Sequence, residues 1–151
     1  MSDSLKQRLQ QDMKDAMRAK QSERLGTIRL IMAAIKQREV DERIELDDAQ
    51  VIDVLSKMVK QRRDSLAQYQ QAGRQDLADT ESAELALIDE YLPPALDTAE
   101  IELMIDEVIA TTAAQSVKDM GKVMAQLKPR IQGRADMGVV SGMIKGRLSG
   151  I

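Results

Sequence analysis

Ile88-Asp89-Glu90-Tyr91-Leu92-Pro93-Pro94-Ala95-Leu96-Asp97 is the stretch that decides how this chain folds. Neither proline can donate a helical N–H, so the helix arriving through Leu85, Ile88 and Leu92 must stop there. Asp97, with Glu100 three residues on, opens the next helix as a capping box. The break divides the chain into 1–92 and 95–151, with four helical patterns before it and three shorter ones after it. The expected fold class is all-α.

Working back from the prolines, the fourth helix spans about Asp76 to Tyr91. A break is expected near Asp79–Thr80, because Leu77 is its only large apolar residue before Leu85. The third helix opens at Asp47, boxed by Gln50, and turns Val51, Leu55, Met58, Leu66 and Tyr69 inward until Gly73 stops it. The second runs from Ser22, read as its N-cap, to about Val40. Its stripe is Leu25, Ile28, Met32 and Ile35, and Leu30, Ile31, Ala33 and Ala34 widen it, so this helix is expected to be the most buried. The first covers about Ser4 to Lys20 and presents Leu5, Leu9, Met13, Ala16 and Met17 on one face.

Working forward, the fifth helix carries Ile101, Met104, Ile105 and Val108. The sixth is expected to start at Ser116, boxed by Asp119, with Val117, Met120, Met124, Leu127 and Ile131 inside. Pro129 should loosen its last turn and Gly133 should end it. Asp136 caps a seventh helix with Val140, Met143, Ile144 and Leu148.

Composition narrows the chemistry. The 151 residues fit one ordinary domain or two small ones. Cysteine and histidine are absent, which excludes disulfides, thiolate or imidazole metal sites, and cysteine or histidine catalysis. Tyr69 and Tyr91 are the only aromatics, so no surface can stack several bases on rings. No apolar run approaches membrane-spanning length. The polar start Met1-Ser2-Asp3-Ser4 reads as no secretory signal, and a cytoplasmic location is expected.

The net charge of −3 conceals a strong asymmetry. Residues 1–74 balance at +3, 75–111 at −11, and 112–151 at +5. The acidic run Asp76, Asp79, Glu81, Glu84, Asp89 and Glu90 lacks the spacing and glycine of a calcium loop and reads as a solvated helix face. The basic tail holds Lys118, Lys122, Lys128, Arg130, Arg134, Lys145 and Arg147. Lys118 and Lys122 stand four apart and are expected on one helix face. Cations with few neighbouring acids suit phosphate contact. An ordinary solvated surface, or basic and acidic patches facing each other, accounts for the same counts.

Gly138, Gly142, Gly146 and Gly150 recur every four residues, and each glycine inside a helix costs about 1 kcal/mol relative to alanine. Two readings stand open. One is close helix–helix packing inside the tail. The other is a flat, side-chain-poor face, with Gly121, Gly142 and Gly146 admitting a nucleic-acid backbone or a partner. Met104, Met120, Met124, Met137 and Met143 lie in the same region and could line an adaptable contact or simply fill a core.

Lys60-Gln61-Arg62-Arg63-Asp64-Ser65, followed by Tyr69, Ala72, Arg74, Asp76-Leu77, Glu81, Glu84, Ile88 and Tyr91-Leu92-Pro93, resembles the central signature of the YqeY proteins. Lys118-Asp119-Met120-Gly121-Lys122-Val123-Met124 and Gly133-Arg134-Ala135-Asp136 are similar to that family's tail. The resemblance covers nearly the whole chain. Met137 and Gly138 depart from it, standing where more polar residues are expected.

The resemblance implies an N-terminal four-helix up-and-down bundle followed by a small three-helix C-terminal subdomain. It also implies kinship with the tail of GatB, a subunit of the glutamine-dependent amidotransferase that converts mischarged Glu-tRNA or Asp-tRNA to Gln-tRNA or Asn-tRNA. That tail helps engage tRNA, while the kinase, metal and transamidation chemistry sits in another module that is missing from this sequence.

The expected function is a non-catalytic tRNA-binding accessory domain with no cofactor and no metal. Its expected partners are tRNA and amidotransferase or aminoacyl-tRNA synthetase machinery. A label of carbon–nitrogen ligase with glutamine as amido-N-donor would describe the complex rather than this chain. The alternative function is a protein–protein adaptor that uses the Met- and Gly-rich C-terminal subdomain. Lys118, Lys122 and Arg134, which no folding argument requires, are the leading phosphate contacts. Arg62 and Arg63 are expected to pair with the acidic fourth helix.

Overall fold

A computed structural model of the protein describes residues 4–150. Met1 to Asp3, which carry most of the polar N-terminal reading, and Ile151 lie outside the described residues. The helices are α1 (Leu5–Arg18), α2 (Ser22–Glu42), α3 (Asp48–Gln71), α4 (Gln75–Asp89), α5 (Thr98–Thr112), α6 (Met120–Ile131) and α7 (Met137–Ser149), with a 3-10 turn at Val117–Asp119 before α6. No strand occurs among the described residues. The chain separates into two compact units, Met1–Leu92 and Pro93–Ile151.

In the first unit α1 packs on α2 and α3 on α4, two helical hairpins that combine into a bundle. Its core joins Leu9, Ile28, Ile31, Val51, Leu55, Ile88 and Tyr91, all essentially sealed from water. Burying each such side chain stabilises the fold by about 1.5–3 kcal/mol. Capping boxes begin α1 at Ser4 and α3 at Asp47. Gly73 ends α3 at φ 72°, a backbone angle that needs no Cβ to be accommodated.

Polar links hold the hairpins together. The Asp48 carboxylate accepts the Leu5 N–H at 2.9 Å. Glu39 accepts from Lys6 Nζ at 2.6 Å and from the Leu46 N–H at 2.9 Å. The Lys6 hydrogen bond, then that from Leu46, holds the Glu39 carboxyl below its ordinary range. Arg62 reaches Glu84 on α4 at 3.1 Å, as the sequence suggests.

Four expectations of helix detail fail. Ser22 is the first residue of α2; Gln21 occupies the N-cap and makes no side-chain cap bond. Helix α4 runs unbroken past Asp79–Thr80, and Ala78 just before them is buried. Helix α2 is not the most buried: α3 buries five side chains and α2 four. Leu30 is 47% exposed and Ala33 also faces water, so the apolar residues of α2 widen outward rather than into the core. Finally, the Ser116 box caps the 3-10 turn, and α6 proper begins at Met120. Val117 therefore sits 40% exposed and Val123 takes the core position.

The second unit packs α5, α6 and α7 around Ile105, Val123, Leu127, Ile131, Val140, Ile144 and Leu148. The Asp97–Glu100 box begins α5, and Asp136 accepts the Gly138 and Val139 N–H groups to begin α7. Pro129 sits within the last turn of α6, which still runs to Ile131. Gly133 then turns the chain at φ 78°.

Candidate nucleic-acid interface

The basic tail folds against its own acidic helix. Helix α5 carries Glu102, Asp106 and Glu107, and two of the seven candidate cations pair with it. Arg130 reaches Glu107 at 3.0 Å, and Arg147 holds Asp106 through two hydrogen bonds. The Asp106 carboxylate raises the Arg147 pKa further above its already high value. For these two arginines the facing-patch reading holds.

Arg134 does a structural job that the sequence did not suggest. Its Nε donates to the Pro94 carbonyl at 3.2 Å, and its own carbonyl accepts the Leu96 N–H at 2.8 Å. These two bonds fasten the segment after the Pro-Pro break to the turn following α6. The Arg134 side chain thus has one contact within the unit that its sequence position did not suggest, while the Leu96 bond uses its backbone alone.

Lys118 and Lys122 do not share one continuous helix face. Lys118 lies in the 3-10 turn and Lys122 in α6. Lys122 Nζ is 3.8 Å from Asp119, whose carboxylate also accepts the Gln115 and Ser116 N–H groups at 2.8 and 3.4 Å. The Gln115 bond first, then Ser116 and the Lys122 charge, holds the Asp119 carboxyl below its usual range. Lys118, Lys128 and Lys145 are exposed, and none has an ion-pair partner among the described residues.

On α6, Lys128 and Gly121 stand seven residues apart and so lie on one side of the helix. On α7, Lys145 flanks a line formed by Gly138, Gly142 and Gly146. A Cβ added at Gly121, Gly142 or Gly146 would meet nothing within 4 Å. Close helix–helix packing inside the tail is therefore not what these glycines serve; they leave open helix surface. Gly138 differs, since a Cβ there would sit 3.1 Å from the Asp136 capping oxygen. Beside this surface Glu102, Ile105, Met143, Gly146 and Arg147 border a shallow groove of about 220 Å³.

The structure thus sorts the seven cations into two groups. Arg130, Arg134 and Arg147 are engaged within the unit, while Lys118, Lys128 and Lys145, with Lys122 loosely held, face solvent. Charge spacing alone could not make that division, because the partners on α5 lie more than twenty residues away in sequence. Among the described residues no three carboxylates converge as metal ligands.

A family model described as "Yqey-like protein" matches residues 6–148. The chain belongs to the YqeY-like family. Similar curated proteins carry the name "Altered inheritance of mitochondria protein 41, mitochondrial". The one from Kluyveromyces lactis is 32% identical over 123 residues, covering 76% of this YqeY-like chain and 66% of the relative. The one from Eremothecium gossypii is 42% identical over 95 residues, covering 62% and 51%. The one from Pyrenophora tritici-repentis is 30% identical over 131 residues, covering 85% and 71%. This YqeY-like chain thus spans about half to two thirds of the length of the first two relatives. No described helix is long and apolar enough to cross a membrane.

Proposed function

We propose that this YqeY-like protein is a non-catalytic accessory domain that docks on tRNA through its C-terminal unit. The observation that supports this most is the set of exposed lysines, Lys118, Lys128 and Lys145, with no carboxylate partner among the described residues. Cations free to neutralise phosphates release counterions on binding and supply sequence-independent affinity. Open glycine surface at Gly121, Gly142 and Gly146 removes the side chains that would hold a nucleic-acid backbone away. Recognition in this reading is by shape and phosphate, because Tyr91 is buried and only Tyr69 remains as an accessible ring. Amidotransferase or synthetase machinery is the protein setting in which such a domain works, and the cytoplasm is its place of action in this chain. The similar fungal proteins carry "mitochondrial" in their own names.

The adaptor reading draws on the same open glycine surface, with half-buried Met143 at the groove beside it. Fluorescence anisotropy of labelled total tRNA at low and moderate salt separates the two. Salt-sensitive binding that collapses in Lys118→Glu/Lys122→Glu supports the RNA reading. Absence of binding at low salt rejects it and leaves the adaptor, whose contact should weaken on Met143→Ser.

A further inference from the structure

We infer that Asp106 and Glu107 of α5 determine which side of the C-terminal unit takes phosphate, by silencing the two arginines that border α5. The inference rests on the phosphate-docking reading of this unit and adds what fixes the direction of approach.

The unit separates its charges by helix. Helix α5 carries Glu100, Glu102, Asp106 and Glu107 and no cation. Helices α6 and α7 carry Lys122, Lys128, Arg130, Lys145 and Arg147 and no carboxylate side chain. Helix α5 packs on both of them, and an arginine–carboxylate pair crosses each seam. Arg130 of α6 meets Glu107 at 3.0 Å, and Arg147 of α7 holds both oxygens of Asp106. Glu102 adds its charge to that of Asp106 at Arg147, while Glu100 accepts the Asp97 N–H in the α5 cap.

Lys128 precedes Arg130 by two residues, and Lys145 precedes Arg147 by two. Two residues turn a helix by about 200°, so on each helix the lysine lies on nearly the opposite side from the arginine. A phosphate chain that approaches the lysines meets charge with no carboxylate beside it. One that approaches α5 meets four carboxylates and two arginines already matched, and like charge rejects it. Arg130 and Arg147 remain 44% and 52% exposed, so the carboxylates rather than burial keep them from an anion. Neutralising Asp106 and Glu107 would free both guanidinium groups and open a second phosphate-binding side.

The test measures labelled total tRNA by anisotropy across salt, using the full chain. D106N/E107Q, which keeps both shapes, should tighten binding at low salt and steepen the slope of log affinity against log salt by about 1 to 2. Glu107→Gln alone, at the more exposed pair, should give about half of that change. Added to K118A/K128A/K145A, D106N/E107Q should recover binding by roughly tenfold or more. Glu81→Gln/Asp89→Asn removes the same charge from α4 and should do neither. The inference is overturned if D106N/E107Q leaves the slope unchanged, or if the α4 variant matches its effect. The tRNA reading fails separately, if wild type does not bind at low salt. In that case binding gained by D106N/E107Q still supports the inference, and its absence overturns it.

Discussion

Arg147 grips Asp106 across the C-terminal unit, with Nε 2.7 Å from one carboxylate oxygen and a terminal nitrogen bonded to the other. This fork joins α7 to α5 and removes one of the tail's cations from the pool available to a ligand. Removing the matched pair together, as Asp106→Ala/Arg147→Ala, should leave tRNA affinity within about twofold, because the local charge is unchanged. Lys128→Ala or Lys145→Ala should each reduce the salt dependence of binding by about one phosphate contact. Anisotropy titrations of the three variants across salt concentrations check the contrast.

The open glycines on α7 make a stability prediction with a sign opposite to most substitutions. Gly142→Ala and Gly146→Ala should each stabilise the C-terminal unit by about 1 kcal/mol, since nothing opposes the new methyl group. Gly138→Ala should gain less or lose, because the methyl would crowd the Asp136 cap. Thermal unfolding of the three variants provides the comparison. Full gain at Gly138 would mean that the Asp136 cap tolerates a neighbour.

Tyr91 lies 2% exposed, with its phenol donating to Asp12 and the Arg8 guanidinium 4.7 Å from its ring centre. Burial first, then the Asp12 bond, pushes its pKa above the ordinary tyrosine value. Tyr91→Phe removes the donor and leaves Asp12 without it, which should cost about 1.5–3 kcal/mol in urea unfolding. The ring contacts survive that change, so Tyr91→Ala should cost more, about 3–5 kcal/mol.

The Lys6–Glu39 pair gives a pH signature. The carboxyl of Glu39 is depressed in the folded chain, so its contribution is present above the unfolded value of about 4.3 and is lost as pH falls through the folded value. Wild type should therefore lose stability on acidification below about pH 4.5 more steeply than Glu39→Gln. Urea midpoints across that range give the two slopes. Equal slopes would mean that the pair does not stabilise the bundle.

Much of the fold was legible because helix punctuation is local. Asp47 with Gln50, Asp97 with Glu100, Gly73, Gly133 and the Pro93–Pro94 break all act within a few residues of where they stand. Punctuation misled at two places, the Ser22 cap and the Asp79–Thr80 break, and the other misreadings concern which way a helix faces. Leu30 and Ile31 are adjacent apolar residues, and only packing against α1, α3 and α4 selects Ile31 for the core. Val117 and Val123 exchanged roles because a 3-10 turn precedes α6 and shifts its phase. The candidate site was legible as a set of cations but not as a surface. The carboxylates that neutralise Arg130 and Arg147, and the carbonyl that holds Arg134, are distant in sequence.

The unpaired lysines of the C-terminal unit are proposed to bind tRNA phosphates. The direct measurement is the slope of log affinity for labelled tRNA against log salt, for wild type and for Lys118→Ala/Lys128→Ala/Lys145→Ala. Removing these three lysines should flatten the slope by roughly 2 to 3, with weaker binding at low salt. A slope that is unchanged in the triple variant, or a wild type that does not bind tRNA at low salt, would contradict it.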